Sequence, residues 1–179
     1  MKFKTTLLII SSLILASCSV DNEPINDEIT ANLFTAVQGD PGTTTSNTTI
    51  HTTDLFAGQT IDVGTVTVEV SPDDDVIVTY ETDGDWQIDE THLYIGPLGD
   101  LPTNGGGNPK IGQFPLSNTH TGGTNNFVYI STTLAAGECT YIAAHAVVTN
   151  TTTGQNETAW GDGDPIGGNS WAMMFEVCN

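Results

Sequence analysis

The chain has no arginine, and of its three lysines only Lys110 lies beyond residue 4. Set against 22 acidic residues, this leaves too few cations to neutralise phosphates. Counterion release, the main driving force for binding a polyanion, then has no partner on the protein side, which excludes a nucleic-acid-binding role. Long apolar runs are also missing. The longest, Leu7 to Ala16, is about half of the roughly 20 residues that a helix needs to cross a bilayer. There is no Gly-x-Ser-x-Gly elbow, no Walker loop, no His-Glu-x-x-His and no dinucleotide glycine fingerprint. Asp89 and Glu90 are adjacent, so strict strand alternation sets them on opposite faces, the wrong arrangement for a shared acid–base site. A carboxylate pair assembled from distant strands is the form in which a glycosidase would still be possible.

What is present begins with an address. Lys2 and Lys4 make a positive start, Leu7 to Ala16 an apolar stretch, and Leu15-Ala16-Ser17-Cys18 closes it with small residues before a cysteine. This is the pattern of a cleaved secretory signal. The Leu-Ala-Ser-Cys box resembles that of bacterial lipoproteins, which are cut before the cysteine and lipidated on its sulfur and its new amino terminus. The resemblance implies a mature protein that starts at Cys18 and is held by several acyl chains, a durable anchor where one chain is only marginal. An ordinary signal with a chance cysteine is the alternative. Ser19-Val20-Asp21-Asn22-Glu23 resembles the acidic stretch after the lipidated cysteine in surface-exposed lipoproteins of Bacteroidota-type bacteria. It implies an outer-membrane lipoprotein exposed at the cell surface, with a periplasm-facing one as the alternative.

Loss of Lys2 and Lys4 with the signal leaves 22 acids against Lys110 alone, a formal balance of 1 − 22 = −21. Carboxylates in such excess repel one another, stay hydrated, or are bridged by a divalent cation. With Cys18 assigned to the lipid, Cys139 and Cys178 remain as an even pair in an oxidising compartment. That suggests one disulfide tying the carboxyl-terminal strand to an inner strand, two free thiols being the alternative.

Residues 1–17 are read as the signal, 18–45 as the lipidated start and a polar tether, and 46–179 as one domain. Gly39 to Thr49 reads as a long turn or flexible arm. From residue 60 the hydrophobic period is two. Thr65-Val66-Thr67-Val68-Glu69-Val70 and Val76 to Glu81 flank the turn cluster Ser71 to Asp75. Further strands are predicted over Gln87–Ile95, Phe127–Leu134, Cys139–Thr149 and Ser170–Cys178. No segment after the signal has the helical period. Short strands separated by turn signals predict an all-β fold, an antiparallel β-sandwich or, nearly as well, a barrel.

Four blocks stand out: Glu90 to Gly96, Gly107 to Pro115, Tyr141 to Val148, and Glu157 to Gly161 leading to Trp171-Ala172. In this order they resemble a family of secreted or lipid-anchored prokaryotic β-domain proteins of unsettled activity, over roughly residues 58 to 177. The resemblance implies the fold and brings no catalytic residues.

Three sets of side chains are candidates for chemistry. His92 and His145 lie mid-strand and approach each other if their strands pair. With Met173 or Met174 they would offer the imidazole and thioether ligands that copper favours, while a hydrogen-bonded structural histidine satisfies the same positions. His51 and His120 fall among Thr and Asn in expected loops, with no role assigned. Asp73 to Asp75, Asp83-Gly84-Asp85 and Asp162-Gly163-Asp164 place carboxylates in turns, and Asp162, Asp164 and Glu157 make the best candidate for a structural Ca²⁺. Asp and Gly are equally the ordinary residues of tight turns. Trp86, Trp160 and Trp171 sit beside Gly or Asp, where an exposed indole can stack on a sugar and a buried one anchors the core. Together these observations point to a non-catalytic surface module, Ca²⁺-stabilised and of adhesion type, facing an extracellular glycan or another envelope protein. A small secreted hydrolase or a copper protein built on His92 and His145 is the competing expectation.

Overall fold

The structure is a computed structural model that describes residues 46–179. The lipidation and tether assignments, including Cys18, lie outside the described residues. The chain is all-β: β1 (Thr48–Ala57), β2 (Ile61–Val70), β3 (Asp75–Thr82), β4 (Trp86–Gly96), β5 (Leu116–Thr124), β6 (Asn126–Thr133), β7 (Cys139–Asn150), β8 (Asn156–Gly161), β9 (Asp164–Pro165) and β10 (Met173–Cys178). Two single 3-10 turns, Leu98–Asp100 and Ile111–Gln113, are the only helical segments among the described residues.

Every pairing is antiparallel, and the order across the sheet is β5-β4-β7-β8-β1-β2-β3-β6, with β10 added to β7 and β9 to β10. The sheet curls nearly shut, so sandwich and barrel describe the same object. The two ends of this order, β5 and β6, follow each other in the chain without pairing.

Alternation decides which side of each strand is enclosed. In β2, Val66 and Val68 are fully buried and Val70 nearly so, while Thr65, Thr67 and Glu69 face outward. β3 answers with Val76, Val78 and Tyr80, and β7 with Ile142, Ala144, Ala146 and Val148. β-Branched side chains suit this half-buried pleat. The β2–β3 turn forms as its composition predicts. Ser71 Oγ accepts from the Asp73 and Asp75 amides at 3.2 and 3.1 Å, and Asp74 takes a φ of 65°. In the three-residue β1–β2 connection Gly58 and Gln59 both adopt positive φ, as the central residues of the tight turn closed by the Thr60 amide on the Ala57 carbonyl.

A second apolar cluster lies on the outer face of β4, β7 and β8. The 97–115 connection lays Leu101 and Phe114 over it, and the 166–172 segment adds Ala172, around Tyr94, Ala143 and Trp160. The two covering segments are stitched together by Asn108, whose Oδ1 accepts from the Asn169 and Ser170 amides at 2.8 and 3.0 Å. The Gly105-Gly106-Gly107 run thus has a structural use: Gly107, at a φ of 83°, lies against the Gly168 backbone, where side chains would collide.

Three expectations need correction. Thr48 and Thr49 belong to strand β1 and not to a flexible arm, because they pair with Val70 and Glu69 of β2. Strands β5 and β8 form where none was predicted, their Thr, Asn and Gly content concealing the alternation. The alternation argued for Asp89 and Glu90 is interrupted by a bulge between Ile88 and Glu90.

Candidate functional site

The candidate constellation is a row on the outer face of the sheet. The registers His92↔His145 and His145↔Trp160 set one imidazole pair beside an indole on β4, β7 and β8. The Nδ1 atoms of His92 and His145 are 3.4 Å apart, and the Trp160 ring meets His145 edge-on with centroids 4.8 Å apart. Phe114 closes the far side of Trp160, with centroids 6.3 Å apart. His145 is 3% exposed and its Nε2 has no hydrogen-bond partner, whereas His92 is half-buried. One Nδ1 must carry the proton that the other accepts. An orphaned buried N–H is costlier than an orphaned lone pair. We therefore assign the proton to His145 Nδ1, donated to His92 Nδ1, which leaves a bare lone pair at His145 Nε2.

Burial, helped by repulsion from His92, pushes the pKa of His145 down to about 3. The unfolded imidazole titrates near 6.5. As pH falls from 6.5 toward 3, the unfolded chain takes up a proton that the folded chain refuses. This histidine's share of stability is complete above pH 6.5 and is lost at about 1.4 kcal/mol per pH unit below it. Between pH 6.5 and 4.5 we expect wild type to lose about 2 kcal/mol more than His145→Gln, measured by urea denaturation of both proteins at each pH. Equal losses would show that His145 is not held neutral.

The other two histidines occupy strands, not loops. His51 on β1 stacks on Phe175 with centroids 4.5 Å apart, and burial lowers its pKa. His120 on β5 places Nε2 3.1 Å from the buried Thr91 hydroxyl, which also meets the Tyr129 hydroxyl at 2.8 Å. Burial lowers the pKa of His120, against an opposing pull from Asp89. Tyr80 crosses the interior and donates to the His92 carbonyl at 3.2 Å. This Thr91–His120–Tyr129 knot is a polar feature that strand-by-strand reading missed. The alternation of Phe127 and Tyr129 in β6 was the available signal; that of β5 was hidden in a Thr and Gly background.

The carboxylates are not gathered. Among the described residues no group of three or more His, Cys, Asp or Glu side chains is placed to hold a metal ion. Glu157 lies over Gly58 and accepts from Gln155 Nε2 at 3.0 Å. The backbone of Asp162 is taken up by β1, its amide donating to the Asp54 carbonyl and its carbonyl accepting from Thr53 Oγ1. Asp164 stands opposite Met174 in the β9–β10 ladder. Asp89 accepts from Gln87 Nε2 at 2.9 Å and Thr149 Oγ1 at 2.5 Å.

The indoles divide. Trp160 is 3% exposed, which corrects its assignment as a ligand-facing residue: His145 and Phe114 enclose it. Trp171 is half-buried and packs against the outer cluster. Trp86 is half-buried against the inner core, beside the exposed Asp83, Gly84 and Asp85. Cys139 and Cys178 form the disulfide, pairing opposite each other in the β7–β10 ladder. A depression of about 290 Å³ is lined by Thr48, Val70, Ser71, Pro72, Asp74 and Asn179 among others, with one carboxylate and no histidine.

Comparison with protein-family models, with curated proteins and with solved structures finds no match for the chain.

Proposed function

We propose that this protein is a lipoprotein of the bacterial outer membrane, held at the cell surface through Cys18, and that its β-domain is a non-catalytic binding or structural module. The observation that carries the reading is the Lys2/Lys4 start, apolar stretch and Leu15-Ala16-Ser17-Cys18 box. The use made of the titratable side chains agrees with it. Trp160 is sealed under the 97–115 segment, His145 is buried against Trp160, His120 is spent on Thr91, and Asp89 on Gln87 and Thr149. None of these presents a nucleophile and base to one cavity, the arrangement that covalent or acid–base catalysis requires.

The ligand class that fits is an extracellular glycan, met by Trp86 with the flanking Asp83 and Asp85 carboxylates accepting from sugar hydroxyls. On a glycan array we expect Trp86→Ala to weaken binding about tenfold, the ~1.4 kcal/mol that one aromatic contact supplies. Trp160→Ala is unsuitable for this test because it opens the outer core. Absence of glycan binding, or binding indifferent to Trp86, would leave another envelope protein as the ligand. Protease treatment of intact cells tests the exposure: the domain should be cleaved before lysis. Protection until lysis would place it on the periplasmic side.

A further inference from the structure

We propose that the free edge of β6 is a self-association surface, on which two copies of this chain pair β6 to β6 antiparallel about a two-fold axis and so continue the sheet from one copy into the other.

β5 and β6 end the eight-strand order, each with a hydrogen-bonded neighbour on one side alone; the two-residue β9 and the first half of β1 are also unpaired on one side. Open edges in natural sheets are guarded by charged side chains, proline, bulges or shortness. Here the usual charges are missing. From Ile111 to Gly137, a stretch that contains both edge strands, there is no Asp, Glu, Lys or Arg, in a chain that carries 22 acids elsewhere. The two edges are nevertheless unlike. β5 is blunted: its pairing slips at the bulge opposite Ile88 and Glu90, and Gly122 and Gly123 take φ of 88° and 77°. Its outward residues Ser117, Thr119 and Thr121 are polar. β6 keeps regular register with β3 from Ile130 to Asn126.

Val128 and Ile130 point outward from β6 with 44% and 62% of their surfaces exposed. They are two of the three large hydrophobic residues so exposed among the described residues. Phe127 and Tyr129, which alternate with them, are held inside, Tyr129 by its 2.8 Å contact with the Thr91 hydroxyl and Phe127 by His120 at a centroid distance of 4.4 Å. The strand is therefore already ordered, and docking a second strand costs little conformational entropy.

Charge selects the occupant. Copies of so acidic a chain repel each other over most of their surface. The neutral edge is where they can meet without setting carboxylate against carboxylate. A cationic partner would be drawn to the acidic turns and not to this edge. A second β6 brings the same uncharged strand, and a register centred on Tyr129 sets Val128 of each copy against Ile130 of the other, a cross-strand β-branched pair. Because the apolar residues lie on β6 and not on β5, the contact is of like with like and closes at two copies, where β5-to-β6 addition would propagate into a filament. This inference is independent of the glycan reading, since a monomer and a dimer can each carry Trp86.

The test uses the full-length lipoprotein. In intact cells, a Val128→Cys/Ile130→Cys variant should give a covalent dimer under mild oxidation on non-reducing gels, and a variant with cysteines at the exposed Thr52 and Asp54 of β1 should not. In detergent extracts, light scattering should show wild type dimerising, with the dissociation constant raised at least tenfold by Ile130→Lys while circular dichroism stays unchanged. Val128→Lys is a second variant should Ile130→Lys misfold. Wild type that stays monomeric to ~0.1 mM, a dimer indifferent to both lysine substitutions, or cross-linking of the two cysteines to a different protein would overturn the proposal.

Discussion

Cells that make the Cys18→Ala variant should lose the protein from their membrane fraction almost completely. Each acyl CH₂ buried in the bilayer contributes about 0.8 kcal/mol, one chain gives reversible binding, and two or more give a stable anchor. The charge of the body opposes a second hold. A formal balance of 3 − 22 = −19 is repelled by anionic lipid headgroups, and three lysines cannot offset it. None of the described helices is long and apolar enough to cross a membrane. With the lipid gone the variant should shift from the detergent phase to the aqueous phase in Triton X-114 partitioning, a change of at least tenfold in the bound fraction. Mass spectrometry of the wild-type amino-terminal peptide should find an acylated Cys18. An unmodified Met1 in the soluble fraction of wild-type cells, or membrane retention of Cys18→Ala, would remove the anchor and with it the surface placement.

The fold was legible wherever alternation combined large apolar with polar residues. Val66, Val68 and Val70 announce β2, because burying one face of a strand demands period two, whereas Tyr141 to Val148 announces β7 as a short continuous apolar run, the mark of a strand covered on both faces. β5 was not legible for the same reason inverted. Leu-Ser-Asn-Thr-His-Thr-Gly-Gly-Thr has one large aliphatic residue, and its pairing is enforced by β4 and by the inward contacts of His120 with Thr91 and Phe127. Register belongs to the same class. That His92 faces His145 required a particular pairing of β4 with β7, which two separate strand patterns do not determine.

Site residues were legible by type more than by use. The histidine pair was visible as a pair, yet the burial of the Trp160 indole beside it depends on residues 97–115, a Gly- and Pro-containing connection whose path no periodicity describes. Once that connection lays Phe114 against Trp160, an indole that composition offered as a sugar platform becomes part of the packing. The acidic turns teach the opposite lesson. Ser71 to Asp75 behaves as turn chemistry predicts, while among the described residues Glu157, Asp162 and Asp164, close in sequence across the β8–β9 corner, do not form a group placed to hold a metal ion.

Replacing both Cys139 and Cys178 by serine should lower stability by about 4 kcal/mol, the chain-entropy value for closing a loop of about 40 residues. The bridge links residues 39 apart in sequence and opposite each other at the end of the β7–β10 ladder. Other contacts also hold this end. Asn179 donates through Nδ2 to the Leu134 carbonyl at 2.6 Å, its amide donates to the Glu138 carbonyl, and its carbonyl accepts from the Gly137 amide. Each such bond contributes about 1 kcal/mol net, and Phe175 and Val177 remain buried in the inner core. Together these should keep β10 docked in the native state without the disulfide. The loss is then expressed through a freer unfolded chain, so the melting temperature should drop by roughly 10–15 °C while hydrogen-exchange protection of β10 stays level with that of β7. Both sulfur-bearing residues are exposed, so reductant should reproduce the shift in wild type without denaturant. A melting temperature within about 3 °C of wild type would refute the entropic account. Selective loss of protection in β10 would show instead that the bridge acts by pinning the last strand.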